Sequence, residues 1–276
     1  MSRYDLHCHS THSDGLLTPD AVVRRAALRG VEVLALTDHD DTSGLVEAQH
    51  AAIDVGIELV PGAELSVSWE SHTIHVVALR IDAANATLDA GLASIRSGRD
   101  ARARRIGEAL ADAGIPGAYE GAFKYVTSER LISRTHFARH LVDAGYVKDT
   151  RDCFKRYLTP GKPGYVKHVW ATLPQAVDWI HAAGGQAVVA HPVRYRVSPT
   201  GMRRLLGEFC DAGGDGIEVL SSSHTPPQFA EYATYARVFG LLGSTGSDYH
   251  GPGESWLDLG DLPELPVGVT PVWSRW

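Results

Sequence analysis

Short apolar runs alternate with stretches of helical period along most of the chain. Arg3–Leu6 is a brief strand that leads straight into polar residues. Thr18, Pro19 and Asp20 supply an N-cap, a first-turn proline and a first-turn acid, and the following AVVRRAALR predicts a helix ending at Gly30. VEVLALT (31–37) is β-branched and nearly all apolar, as for a strand buried on both faces. A second helix is predicted over Ser43–Val55, closed by Gly56. IELVPG, the segment around Glu64, and HTIHVVAL (72–79) read as further strands.

Between Asn85 and Tyr165 the strand signals fade and arginine-rich helical stretches take over, among them SIRSGRDARARRIGEAL, ISRTHFARHLV and TRDCFKRYL. This segment reads as a helical insertion, with GKPGYVK (161–167) leading back. Arg99, Arg102, Arg104 and Arg105 are expected on its solvated face. Alternation then resumes. Thr172 to Gln175 fits a capping box for a helix to Ala183. GQAVVAHP, DGIEVLS and GLLGSTGSD are strands, separated by helices over Pro199–Ala212 and Pro226–Phe239. About seven strands alternating with helices predict an α/β fold with a parallel sheet. The expected division is a domain of residues 1–84 and 166–276, with 85–165 as a lid.

Composition narrows the function classes. Of 276 residues, 44% are hydrophobic and 21% charged, typical of a globular protein. The net charge of −7 argues against duplex DNA as a partner. No apolar run reaches the roughly 18 residues of a membrane helix, and MSRYDLHCHS has no apolar signal core. Three scattered cysteines (Cys8, Cys153, Cys210) make no disulfide framework, so a reduced, cytoplasmic setting is expected.

The 14 histidines change the picture through their positions. In His7-Cys8-His9, strand alternation sends both imidazoles one way and the thiol the other. Asp14 follows in HSDG. His39 lies in TDHDD after the strand VEVLALT, and Glu64 follows ELVPGA. His75 sits in HTIHVVAL, His191 ends GQAVVAHP, and Asp248 with His250 ends GLLGSTGSDYH. Catalytic groups of α/β barrels collect where strands end. Nine His, Asp and Glu residues so placed point to a multinuclear metal site. Nitrogen and oxygen donors without thiolate suit Mn, Zn, Fe or Mg and not copper(I) or iron–sulfur clusters.

HCHSTHSDG, TDHD, PGAE, HTIHVVAL, AHP and GSDYH, in this order, resemble the motifs of the PHP (polymerase and histidinol phosphatase) superfamily. RTHFAR, YLTPGKPGYV and AHPVRY are similar to its stand-alone TrpH/YciV-like phosphoesterase branch. The resemblance implies a distorted (β/α)7 barrel with a trinuclear metal centre; two to three divalent ions bound per chain are expected, Mn²⁺ first and Zn²⁺, Fe²⁺ or Mg²⁺ as alternatives. Carried over by motif, His7, His9, Glu64 and Asp248 hold one ion. Glu64 bridges to a second with His75 and His191, and Asp14, His39 and His250 hold the third.

For that branch the resemblance implies release of the 3′-phosphate of nucleoside 3′,5′-bisphosphates, by attack of a hydroxide bridging two ions. Alternatives are a 5′-3′ exoribonuclease on short RNAs, a histidinol-phosphate phosphatase and a non-catalytic PHP module. Arg134 and His136, at a predicted helix start, are candidate phosphate binders. Arg194, just after AHP, and His224, after the strand DGIEVL, are further substrate candidates. His224 is also a candidate general acid. Asp38 and Asp40 flank His39 and are expected to orient imidazoles, and Asp40 is also a candidate catalytic residue. His12 is a loop histidine that either faces the site or is solvated. The expected partner is a small nucleotide, with short RNA as the alternative, and no membrane.

Overall fold

A computed structural model of the chain describes residues 3–127 and 131–276. Residues 1–2 of the expected barrel and 128–130 of the expected insertion lie outside the described residues. The first half runs β1 (Tyr4–Asp5), α1 (Pro19–Leu28), β2 (Val33–Leu36), α2 (Leu45–Val55), β3 (Glu58–Trp69) and β4 (His72–Leu79). Helices α3 (Ala86–Ser97), α4 (Arg99–Asp112), α5 (Ala118–Phe123), α6 (Arg134–Asp143) and α7 (Thr150–Cys153) follow. The chain returns through β5 (Ala171–Thr172), α8 (Leu173–Ala182), β6 (Gln186–Val189), α9 (Pro199–Asp211), β7 (Gly216–Ser221), α10 (Pro226–Phe239) and β8 (Leu242–Gly246).

Seven strands form one path in the order β1-β2-β3-β4-β6-β7-β8, and β5 pairs with β3. Hydrogen bonds from Leu6 N to the Thr245 carbonyl and from Asp248 N to the His7 carbonyl, 2.9 and 2.8 Å, bring the last strand back to the first. The result is a nearly closed barrel. It departs from the expected all-parallel sheet at β4, which is antiparallel to both β3 and β6. The reason is local. Only Glu70 and Ser71 separate β3 from β4, which is enough for a hairpin and far too short for a crossover helix. The segments read as two strands before His72 are one continuous strand, β3.

The barrel has two apolar layers. Inside, Leu6, Val33, Ala35, Val60, Val77, Leu79, Val188, Ala190 and Leu242 pack together and against Val272 of the C-terminal turn. Outside, Leu34 and Leu36 meet Val22, Ala26 and Ala48 of α1 and α2. Ile74, Val76, Val189 and Ile217 meet Val177, Leu205 and Ala233 of α8, α9 and α10. Period-two alternation thus assigns alternate residues to the two layers. Helix ends are set as the residues dictate: Thr18 accepts from Ala21 N, and Thr172 with Gln175 forms the capping box.

The insertion has its own small core, centred on Ile106, Leu110, Phe137, Leu141 and Leu158. In packing terms it starts later than residue 85. Helix α3 buries Leu88 and Leu92 in the outer barrel cluster and sets Gly91 against the Trp179 ring. Arg99 and Arg102 are buried, 6% and 7% exposed, and not on a solvated face as expected. No helix among the described residues is long and apolar enough to cross a membrane. Cys8, Cys153 and Cys210 are unpaired.

Candidate metal centre

All nine His, Asp and Glu residues singled out in the sequence converge at one end of the barrel. Their donor atoms form four overlapping groups, each within 4.8 Å: His9, Asp14, His39 and His250; His7, His9 and Asp248; His7, Glu64 and His191; and His39, Glu64 and His75. These groups differ from the partition implied by resemblance. His9 joins Asp14, and Glu64 also reaches His39.

Glu64 is the hub. One carboxylate oxygen lies 2.8 Å from both His75 Nδ1 and His191 Nε2. The other lies 2.8 Å from His39 Nδ1 and 3.4 Å from the Nε2 atoms of His7 and His9. Asp248 Oδ1 is 3.2 Å from His9 Nε2, and Asp14 Oδ1 is 3.3 Å from His250 Nε2. Three strand-end residues, Asp40, His191 and Asp248, have positive φ (49°, 24° and 53°). Such backbone strain is retained where its surroundings over-determine it, commonly at functional sites. Here Asp248 N is held by the His7 carbonyl and Asp40 N by the Glu64 carbonyl. Gly246 leaves the room His7 needs, because a Cβ there would collide with that of His7.

The electrostatics favour ionised carboxylates among neutral and charged rings. Burial opposes charge on Asp14, Glu64 and Asp248, yet the surrounding cationic groups hold all three well below the usual carboxylate range. Burial, then the charges of His250 and His39, pushes His9 down to about 3. Burial also opposes charge on His250, but Asp14 and Asp248 raise it to about 9.

Does this cluster fit a cation? Asp14 Oδ1, Glu64 Oε2 and His39 Nδ1 are buried and make no hydrogen bond. His39 Nδ1 and Glu64 Oε2 approach to 2.8 Å without hydrogen-bond geometry. Donors that crowd together without bonding each other suit a shared cation. The set of six imidazoles and three carboxylates fits a borderline or hard divalent ion. Cys8 takes no part: its thiol points to the Ala35 carbonyl at 3.2 Å.

The supporting residues differ from expectation. His7 Nδ1 donates to Glu218 Oε1 at 2.7 Å, while Glu218 Oε2 accepts from His191 N. Glu218 was not singled out in the sequence. Its signal was there: an acid in the strand GIEVLS, with Ile217 and Val219 facing outward. Such outer partners fix the tautomer and aim of a ligand imidazole. Glu218→Ala is therefore expected to weaken divalent-metal affinity roughly 10–100-fold. Metal titration checks this, and an unchanged affinity removes the role.

Asp38 and Asp40 do not orient His39. Asp38 accepts from Ser10 N, Ser10 Oγ and Ser13 Oγ. Asp40 accepts from Ser66 N and Ser66 Oγ and pairs with Arg99, so its carboxylate is spent on structure and not on catalysis. His136 is a cap: its Nδ1 accepts from Ser133 N, and burial lowers it to about 4. His224 stacks on Tyr232 at 4.6 Å and bonds the Val219 carbonyl, and burial lowers it to about 4. It borders neither cleft described below. A histidine deprived of its proton by burial is a poor general acid. His12 bonds Ser43 Oγ and faces the turn before α2.

Two clefts border the cluster. A recess of about 70 Å³ is lined by Asp14, His39 and His75 and by Arg99, Arg102 and Arg134. Burial, then the charges of Arg134 and Arg99, lowers Arg102 to about 9. A larger cleft of about 420 Å³ is lined by Asp248, His250, Arg194, Phe154 and Trp256 among others. The insertion supplies much of both walls. It also steadies the cluster, since Ser133 Oγ donates to Asp14 Oδ2 at 2.9 Å.

Comparison with known proteins agrees with this picture. The chain is 53% identical over 275 residues to a 3′,5′-nucleoside bisphosphate phosphatase of Chromobacterium violaceum, covering 100% of this chain and 96% of the relative. It is 46% identical to a 5′-3′ exoribonuclease of Haemophilus influenzae, covering 99% and 98%. A solved structure described as an amidohydrolase from Chromobacterium violaceum, with sulfate bound and no metal, superposes with a TM-score of 0.96 at 52% identity, covering 99% and 95%. The family profile described as PHP domain matches residues 5–157, more than half of the chain. With the barrel, the nine converging residues and full-length relatives in agreement, this chain belongs to the PHP domain family.

Proposed function

We propose that the chain is a metal-dependent phosphoesterase that releases the 3′-phosphate of nucleoside 3′,5′-bisphosphates, leaving a nucleoside 5′-monophosphate. The observation that carries this reading is the juxtaposition of the His/Asp/Glu cluster with a recess lined by three guanidinium groups. One phosphate belongs at the cluster, the other in the recess. The full-length likeness to a bisphosphate phosphatase supports the same substrate.

His7, His9, Asp14, His39, Glu64, His75, His191, Asp248 and His250 would hold two to three divalent ions, with Mn²⁺ the expected metal. Ions there would activate water and neutralise phosphate charge. The chain's own groups do the rest. Arg134, with Arg99 and Arg102, grips the second phosphate, and Arg194, which pairs with Asp248, steadies the edge of the cluster. The helices from α4 to α7 act as a wall over the barrel mouth and keep water from the recess. With three unpaired cysteines, we place this work in the cytoplasm.

The test is phosphate release, with Mn²⁺ supplied, from a nucleoside 3′,5′-bisphosphate, a nucleoside 3′-monophosphate and histidinol phosphate. The bisphosphate is expected to have the highest kcat/KM. A preference for either monophosphate overturns the two-phosphate reading.

A further inference from the structure

The seam between β4 and β6 ends at the candidate metal centre, and its last rung is built through a side chain. The register pairs Val76 with Val189, so His75 stands opposite Ala190. Ala190 N donates to the His75 carbonyl at 3.1 Å. Residues bonded across an antiparallel ladder in this way exchange a second bond in return. Here the return bond runs through a hydroxyl. His75 N donates to Tyr195 Oη at 3.0 Å, and Tyr195 Oη donates to the Ala190 carbonyl at 2.6 Å.

Tyr195 is brought there by a turn that starts on a candidate ligand. His191 has a φ of 24°, and Pro192–Tyr195 form a single 3-10 turn, with Arg194 N on the His191 carbonyl at 3.0 Å. The chain doubles back and buries the Tyr195 ring edge-on to the His191 ring, 5.8 Å between centroids. One side chain thus touches the backbone of His75 and the ring of His191. These are the two imidazoles that lie 2.8 Å from the same oxygen of Glu64.

We propose that Tyr195 is a positioning residue for the metal centre: its hydroxyl is a spacer in the ladder that sets β4 and β6 at the separation where His75 and His191 meet Glu64. This rests on the metal-dependent reading and adds a residue outside the nine candidate ligands. A direct N–H···O bond spans about 2.9 Å. The relay holds the same amide and carbonyl farther apart. Without the hydroxyl the two groups either close on each other or lose their partner, which buried backbone avoids. Either change moves His75 against His191, and a metal site holds its function only within about 0.5 Å. The seam needs a spacer at this point because β6 stops at Val189 while β4 continues to His72. The β4–β6 ladder goes no further, so the hydroxyl fixes its open end.

The test is titration of wild type and Tyr195→Phe with Mn²⁺ and with Co²⁺, whose visible spectrum reports ligand geometry. Tyr195→Phe removes one oxygen and keeps the ring. Its divalent affinity is expected to fall about 10-fold, the lower end for losing a partner that aims a ligand, and its Co²⁺ spectrum to change. Val177→Ala, in the outer apolar layer, is the comparison: it should lower the Tm and leave affinity and spectrum as in wild type. A folded Tyr195→Phe with wild-type affinity and spectrum overturns the proposal. So does a Val177→Ala that shifts both as far as Tyr195→Phe, because the effect then reports a loosened fold. A wild type that takes up no divalent ion overturns the metal centre and the role of Tyr195 together. Hydrogen exchange on the wild type tests the same link without a variant. Linkage is reciprocal, so Mn²⁺ should slow exchange of the His75 amide. An amide whose exchange Mn²⁺ leaves unchanged overturns the proposal.

Discussion

Glu64→Ala is expected to remove bound divalent metal and to lower kcat/KM by more than roughly 100-fold, beyond the range for losing an outer partner. Five imidazoles converge on this one side chain: His75 and His191 on one oxygen, and His39, His7 and His9 on the other. Removing it takes negative charge from the centre of the cluster and leaves His7 and His39 without a carboxylate that favours their charged forms. No neighbour can move in, because Asp14 and Asp248 are tied to Ser133 and Arg194. Glu64→Gln keeps the volume and loses the charge, so it separates a packing defect from a ligand defect. Both variants should lack metal by elemental analysis while keeping the wild-type circular dichroism spectrum. A folded Glu64→Ala that retains metal and turnover would sink the proposed centre.

Arg134→Ala is expected to cost about 2–5 kcal/mol in kcat/KM toward a 3′,5′-bisphosphate, the range for truncating one partner of a buried charge pair. Toward a nucleoside 3′-monophosphate it should cost much less. Of the three guanidinium groups in the recess, Arg134 is the least committed. Arg99 pairs with Asp40 and bonds Ser66 Oγ at 2.9 Å. Arg102 spends its Nε on the Val166 carbonyl and lies over Trp170. Arg134 makes one 3.2 Å bond, to the Leu158 carbonyl, and lies 5.6 Å over Phe154. It also stands at the first position of α6, where the helix dipole favours an anion. A planar fork can donate two hydrogen bonds to a phosphate. The measurement is a kinetic double cycle of variant against wild type and bisphosphate against monophosphate. Equal losses on both substrates would mean that Arg134 only supports the fold or touches the cleaved phosphate.

Much of this was legible in the chain because strand ends announce themselves. Most candidate ligands follow or end an apolar run, while Glu64 and His75 lie inside β3 and β4, and the barrel gathers all of them at one mouth. The misses share one cause. Asp40, His136 and His224 have the right residue types near the right places. What they do depends on the neighbour each one meets: Ser66 and Arg99, the Ser133 amide, and the Tyr232 ring. Those neighbours are distant in sequence or depend on side-chain direction, which local pattern does not report. Arg99 and Arg102 were misread for the same reason. A helix rich in arginine looks solvated until a second layer covers it.

The sequence by itself determined the alternation of strands and helices, the insertion, the nine metal-binding candidates and the family they resemble. The elements follow from short-range periodicity, the candidates from residue types that few other chemistries require, and the resemblance from the motifs in which those residues stand. Only the tertiary structure decided which way the side chains face. Leu6 packs inside the barrel, and Cys8 packs outside against α1 and α2. Strict alternation would put both on one face. The phase therefore changes between them, and with it His7 and His9 turn toward the cluster. The partner that sets the phase is β8, about 240 residues away, through the bonds of Leu6 to Thr245 and of Asp248 to His7. Closure of the ring decides direction at the site, because a strand's register is a property of its neighbours and not of its own residues.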